Sequence, residues 1–141
     1  LAVNLRSPFF LPGLCARERM KLKHGKIVNI TSILESRAAP SRVSYMVAKA
    51  GISAMTRALA LELAPFGVQV NAVAPGLVKT PALTPQNAAE EAGLARSLES
   101  IPLRRFAEPL DVARLVRFLA SRDSDYITGQ VIYIDGGMTL R

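Results

Sequence analysis

Two side chains in the segment SYMVAKAG, Tyr45 and Lys49, place a phenol and an ammonium four positions apart. On a helix that spacing stacks them on one face, one turn apart, and a pair of this kind is suited to moving a proton. The same spacing also suits a plain surface helix, with a lysine snorkelling past a half-buried tyrosine. The pair therefore acquires meaning only from its surroundings. Ser32 stands 13 residues before Tyr45, just past the apolar run KIVNI at 26–30, and Asn4 lies in an earlier helical segment. A strand end and the start of the following helix can converge on one crevice, which would bring Ser32, Tyr45 and Lys49 together.

The elements that must position these residues follow from pattern and punctuation. Residues 2 to 22 read as a helix, but Pro12 and Gly13 fall inside it; an interior proline costs about 3 kcal/mol, so a kink or early break is expected. KIVNI follows a His24-Gly25 turn and reads as a buried strand. The longest helical pattern, VSYMVAKAGISAMTRALALELAPFG, stops at Pro65 and Gly67. VQVNAVAPG, from Val68 to Gly76, is a second strand ended by Pro75-Gly76. The polar, alanine-rich stretch from about Thr84 to Ser100 suggests one or two loose helices over a cleft. EPLDVARLVRFLASRDS has apolar residues at Val112, Leu115, Val116 and Leu119, a helical spacing, and GQVIYIDGG, Gly129 to Gly137, is a third strand. Alternating strands and helices imply a parallel sheet packed with helices and joined by right-handed crossovers. Ligands in such sheets sit beyond the carboxyl ends of the strands, here at Thr31 and Ser32, at Asn71 to Thr80, and at Asp135 to Gly137.

Composition narrows the function classes. The chain has 141 residues, half of them hydrophobic and 21% charged, which is one domain's worth with enough apolar side chains for a core. No stretch reaches the roughly 18 uncharged apolar residues of a membrane span. Cys15 is the single cysteine, so there is no internal disulfide and no cluster with metal-ligand spacing; a cytoplasmic location is expected. The net charge of +7 favours anionic partners. Much of it lies in one run, Arg17, Arg19, Lys21, Lys23, His24 and Lys26, without the interleaved aromatics that would stack bases, which argues against nucleic acid. The run reads either as a solvated helix end or as a dock for an acidic carrier protein, and His24 as part of that exposed end rather than a catalytic base. The opening residues carry no targeting pattern and read as the interior of an element.

Taken in order, NL at Asn4, IVNITS ending at Ser32, YMVAK from Tyr45, NAVAPGLVKTP and ITGQVIYIDGG resemble the short-chain dehydrogenase/reductase family over essentially the whole chain. The likeness is to its β-ketoacyl-carrier-protein-reductase-like and glucose-dehydrogenase-like members. It implies an α/β fold, a Rossmann-like doubly wound parallel sheet, of which residues 1–141 would form only the carboxyl-terminal catalytic part. It implies Tyr45 as the acid or base that exchanges a proton with the substrate oxygen, and Lys49 as the residue that favours the phenolate and holds the nicotinamide ribose. A free phenol titrates near pH 10, and an ammonium at about 4 Å favours phenolate by about 4 kcal/mol at an effective dielectric near 20. By the same resemblance Ser32 would hydrogen-bond the substrate oxygen, and Asn4 would hold a water on the proton path; a helix-start cap is the alternative for Asn4. Pro75 and Gly76 would turn the chain under the nicotinamide, while the Val78 backbone and the Thr80 hydroxyl would hold its carboxamide. The implied cofactor is NADP or NAD, and the substrate a ketone or secondary alcohol, possibly carried on an acyl carrier. A homo-oligomer, dimer or tetramer, would pack through residues 2–22 and 44–64, helped by the small residues Ala48, Ala50, Gly51 and Ala54.

Two of the family's motifs do not occur in the sequence: the glycine-rich turn of T-G-x-x-x-G-x-G type and the NNAG-type motif. The glycines at 13, 25, 51, 67, 76, 93, 129, 136 and 137 form no such group. Contacts to the cofactor's pyrophosphate and adenosine are therefore not expected from these residues, and strand 26–30 should present an apolar edge. Residues 1–141 alone should bind the dinucleotide weakly or not at all. A non-catalytic remnant serving as an oligomerisation module is the second reading.

Overall fold

The computed structural model describes residues 2–6, 8–10, 18 and 20–141. Three strands, β1 (Gly25–Ile30), β2 (Val68–Pro75) and β3 (Val131–Ile134), form one sheet in the order β1-β2-β3, with both pairs parallel. Parallel neighbours need a crossover rather than a hairpin. Helix α1 (Val43–Leu63) supplies it between β1 and β2, and α2 (Ala88–Ser100) and α3 (Pro109–Leu119) between β2 and β3.

The middle strand is the core. Val68, Val70, Ala72, Val73 and Ala74 have no exposed surface, the near-continuous apolar run that a strand covered on both faces requires. On one face α1 lays Ala60 and Leu63 against Val68 and Val70, with Ile27 and Leu59 beside them. On the other, Asn71 donates to the Ile127 carbonyl at 2.8 Å and accepts from the Gln130 N–H at 3.0 Å. Lys26 reaches Asp125 at 2.7 Å and the Ser124 hydroxyl at 3.1 Å, just beyond α3. With covering segments on both faces, the sheet is doubly wound.

Local chemistry sets the boundaries. After α1, Gly67 takes φ 68°, and a Cβ there would meet the Lys23 carbonyl oxygen at 2.6 Å; only glycine fits. The side chain of Asn87 accepts from the Glu90 N–H at 3.0 Å to open α2. At α3, Pro109 occupies the first turn, the Glu108 N–H donates to Asp111 at 2.9 Å, and Arg105 holds the same carboxylate at 2.7 Å.

Several expectations change. KIVNI is mostly half-exposed rather than buried, and it lies at the expected edge, with β2 its one partner among the described residues. The third strand spans four residues, since Asp135 turns the chain immediately after Ile134. The stretch from Thr84 to Ser100 holds one helix, α2, within the one or two expected, and that helix has no buried residue; the chain is anchored just past it by Ile101, 2% exposed. Within 2–22, Ala2–Arg6 form a π-helical turn and residues 8–10 and 20–22 are helical, while Pro12 and Gly13 lie outside the described residues. Lys26 is not part of an exposed basic end: its side chain is 9% exposed and paired. Lys21 is paired with Glu18, and Arg17 and Arg19 lie outside the described residues. No described helix is long and apolar enough to cross a membrane.

Candidate active site

The first two turns of α1 carry Tyr45 and Lys49, both half-buried. The Lys49 ammonium lies 5.6 Å from the centre of the Tyr45 ring and donates to the Ile30 carbonyl at 3.0 Å. Partial burial desolvates this ammonium and lowers its pKa from the ordinary lysine value.

The carbonyl is available for a structural reason. Thr31 donates its N–H to Val73 across the sheet at 2.8 Å, so the polar groups of Thr31, Asn29 and Ile27 face β2, and those of Ile30 and Val28 face away from it, where no strand pairs among the described residues. Lys49 takes up this last carbonyl of the edge.

A polar seam that the sequence reading missed fixes α1 against β1. The Thr31 hydroxyl, 3% exposed, donates to the Lys49 carbonyl at 2.9 Å and lies 3.3 Å from the Ser53 hydroxyl. Two residues back on the same face, Asn29 donates to the Thr56 hydroxyl at 2.9 Å, and Thr56 donates to the Ile52 carbonyl at 2.8 Å. The signal was present as polar residues alternating on a strand, 29 and 31, opposite polar residues three apart on a helix, 53 and 56. Thr31 thus ties the strand end to the helix at Lys49.

Ser32 follows, 9% exposed, in extended backbone. Its hydroxyl oxygen accepts from the Leu34 N–H at 3.2 Å, which leaves its own O–H free to donate to a ligand. The bond is from Leu34, not from Tyr45. Asn4, exposed, sits inside the Ala2–Arg6 turn and not at a helix start. It lines a cavity of about 240 Å³ with Lys49, Ile30, Val28 and Ile52.

At the end of β2, Gly76 donates to the Ile134 carbonyl at 3.0 Å, and a Cβ on it would stand 2.9 Å from the Asp135 Cβ. Pro75 is the last residue of the strand. Val78 forms a bridge with Ala107, made by the Lys79 N–H to the Ala107 carbonyl at 2.8 Å and the Ala107 N–H to the Leu77 carbonyl at 3.0 Å. In that pattern the N–H and C=O of Val78 itself turn away from Ala107. Thr80 is exposed, and its hydroxyl is not spent on capping the turn that follows. Those backbone groups and that hydroxyl are the kind of donors and acceptors a carboxamide needs, so the residues present suit the nicotinamide end of a dinucleotide. At the end of β3, Asp135 is partly desolvated, yet N–H donors from Thr139 at 2.7 Å and Gly137 at 3.0 Å hold its carboxyl below the usual range. Its role is to close the turn.

The sequence and the fold also match known proteins. A family model described as enoyl-(acyl carrier protein) reductase matches residues 1–139. The 3-oxoacyl-(acyl-carrier-protein) reductase of Thermotoga maritima is 41% identical over 140 residues, covering 98% of this chain and 55% of the relative. That of Haemophilus influenzae is 37% identical, covering 99% and 57%. The chain thus spans about half the length of the curated relatives it matches. Among solved structures, a gluconate 5-dehydrogenase from Burkholderia cenocepacia in complex with NADP and tartrate superposes with a TM-score of 0.90 at 32% identity, covering 99% of this chain and 54% of that one. An acetoin dehydrogenase from Enterobacter cloacae gives 0.84 at 34%, covering 98% and 53%. The strand order, the placement of Tyr45 and Lys49 at the carboxyl end of the sheet, and a match over nearly every residue lead to one assignment: this chain belongs to the short-chain dehydrogenase/reductase family.

Proposed function

We propose that this chain is the catalytic half of an NAD(P)(H)-dependent oxidoreductase that interconverts a ketone and a secondary alcohol, with a carrier-bound 3-oxoacyl group as its substrate class. The observation that carries this reading is the Lys49 ammonium held between the Ile30 carbonyl and the Tyr45 ring at the end of the sheet. When bound, the nicotinamide dinucleotide supplies or accepts the hydride. In reduction the Tyr45 phenol gives its proton to the substrate oxygen, and in oxidation it takes one back. Partial desolvation of Lys49 makes its ammonium a readier proton donor beside Tyr45. Ser32, with its O–H still to donate, hydrogen-bonds the substrate oxygen where charge develops. The cavity shared by Asn4 and Lys49 gives protons a way in from solvent.

Val78, Thr80, Pro75 and Gly76 would hold the nicotinamide, supported by the outward backbone groups at Val78 and the uncommitted hydroxyl at Thr80. The NADP bound by the Burkholderia relative favours NADP over NAD. A cytoplasmic location goes with this chemistry and with the single cysteine. The test is the full-length protein with a 3-oxoacyl thioester and NADPH or NADH, followed by nicotinamide absorbance. Turnover with either cofactor supports the reading, and no turnover on any short or medium 3-oxoacyl thioester or simple ketone contradicts it.

A second reading, subunit packing, is favoured by one stripe of α1. Val43, Val47 and Leu61 are 73%, 53% and 80% exposed, and Ala54 is exposed on the same face. The small residues contribute less than expected: Ala48 is buried within the chain, and Gly51 is filled by the chain's own Leu5. A dimer or tetramer packing through this stripe should dissociate on Leu61→Glu, as read by light scattering; an unchanged mass contradicts it.

A further inference from the structure

The turn that carries Ser32 is tied to the last strand by side chains that cross over β2. After Ser32 the chain makes a short 3-10 turn, Ile33–Glu35, in which the Glu35 N–H donates to the Ser32 carbonyl at 3.0 Å and the Arg37 N–H to the Ile33 carbonyl at 3.0 Å. A single turn of this kind has little stiffness of its own; Ile33, 5% exposed, seats its inner side in the core, while its outer side at Glu35 and Ser36 needs a further tie. Tyr133 of β3 supplies what it lacks. Its hydroxyl donates to the Glu35 carboxylate and lies 2.8 Å from the Ser36 hydroxyl. Arg37 adds a second tie, donating from Nη1 to the Met138 carbonyl at 3.0 Å. These partners lie 97 to 101 residues apart in sequence, and their strands are not neighbours in the sheet. Tyr133 pairs with Ala74, and the small side chains of Ala72 and Ala74 on that face leave room for its ring to span the middle strand.

We infer that Tyr133 and Arg37 are positioning residues for Ser32: they hold the 3-10 turn against the last strand so that the Ser32 hydroxyl keeps its place just past the end of β1. The inference rests on the role of Ser32 given above. Burial and the Glu35 carboxylate raise the pKa of the Tyr133 phenol, while Ser36 and Arg57 on α1 oppose this. The hydroxyl thus remains a donor throughout the neutral range. A hydroxyl displaced by a fraction of an ångström in a proton-transfer site costs rate rather than binding.

The test is a cycle of variants in the full-length enzyme. Tyr133→Phe should lower kcat about tenfold while leaving the cofactor KM and the far-ultraviolet spectrum unchanged. Glu35→Ala, which breaks the same bond from the other end, should reproduce the loss. Glu35→Gln, whose amide oxygen still accepts, should restore most of the rate. In a Ser32→Ala background, Tyr133→Phe should have no further effect on the residual kcat. A Tyr133→Phe enzyme with wild-type kcat, in a protein that Ser32→Ala inactivates, overturns the inference and spares the role of Ser32. An equal loss from Tyr133→Phe with and without Ser32 also overturns it, since the effect then does not pass through Ser32. Full turnover in Ser32→Ala alone removes the role of Ser32 and this inference with it.

Discussion

Thr31→Val separates the seam's contribution to folding from its contribution to chemistry. Thr31 is 3% exposed, and its hydroxyl spans strand and helix by donating to the Lys49 carbonyl at 2.9 Å. Valine keeps the shape and deletes that bond. A typical intramolecular hydrogen bond contributes about 1 kcal/mol net, and leaving the Ser53 hydroxyl without its 3.3 Å neighbour adds to the cost, for a total of about 1–2 kcal/mol. In a protein of the relatives' length this is a fall in melting temperature of roughly 2–4 °C per kcal/mol. Thr31→Ser supplies the control: it keeps the hydroxyl and loses one methyl, about 0.8 kcal/mol of burial before any cavity cost. Both variants should therefore melt earlier by similar amounts, but only valine releases the strand end from the residue that carries the ammonium. If that register matters, Thr31→Val lowers kcat several-fold and Thr31→Ser leaves it near wild type. Thermal melts and steady-state kinetics on the two variants decide. Equal kcat in both, or a Thr31→Val protein as stable as wild type, refutes the reasoning.

Other consequences are as direct. Gly76→Ala would bring a Cβ to 2.9 Å and 3.0 Å from Asp135 atoms; the resulting shift should cost about 1–3 kcal/mol and raise the cofactor KM. Val70→Ala, in the fully buried middle strand, should cost about 2 kcal/mol in urea unfolding without altering kcat. Lys26→Met should destabilise the protein at neutral pH. In wild type, the hydrogen bond from Lys26 holds the Asp125 carboxyl below its usual range. A depressed folded pKa contributes stability that is present above the unfolded value of about 3.9 and lost as pH falls through the lower folded value. The gap between Lys26→Met and wild type in urea should therefore be full at pH 7 and close in strong acid; a gap that widens in acid contradicts the pairing.

The elements with strong punctuation were legible. β-branched runs bounded by His24-Gly25, Gly67 and Pro75-Gly76 marked β1 and β2, and Pro65 with Gly67 marked the end of α1. The ionisable pair was legible because four residues on a helix is a fixed distance. What escaped was whatever depends on non-local pairing. Lys26 looked like one more cation in an exposed run, and its burial is decided by Asp125 and Ser124, about a hundred residues away. Thr31 and Ser32 are adjacent and chemically alike; the resemblance singles out Ser32, but the tie of Thr31 to α1 depends on how that helix packs on β1. Tyr133 had no local signal at all, since its partners at 35 and 36 come within reach only once β1 and β3 are laid on either side of β2.

The central claim is that Tyr45 moves the proton, with Lys49 behind it. The most direct measurement is single-turnover reduction by full-length Tyr45→Phe at saturating NADPH, with cofactor affinity measured in parallel by calorimetry. The account predicts that the rate falls by about 10²-fold or more, while NADPH binds as in wild type. A Tyr45→Phe enzyme that reduces its substrate at the wild-type rate with the cofactor bound contradicts it.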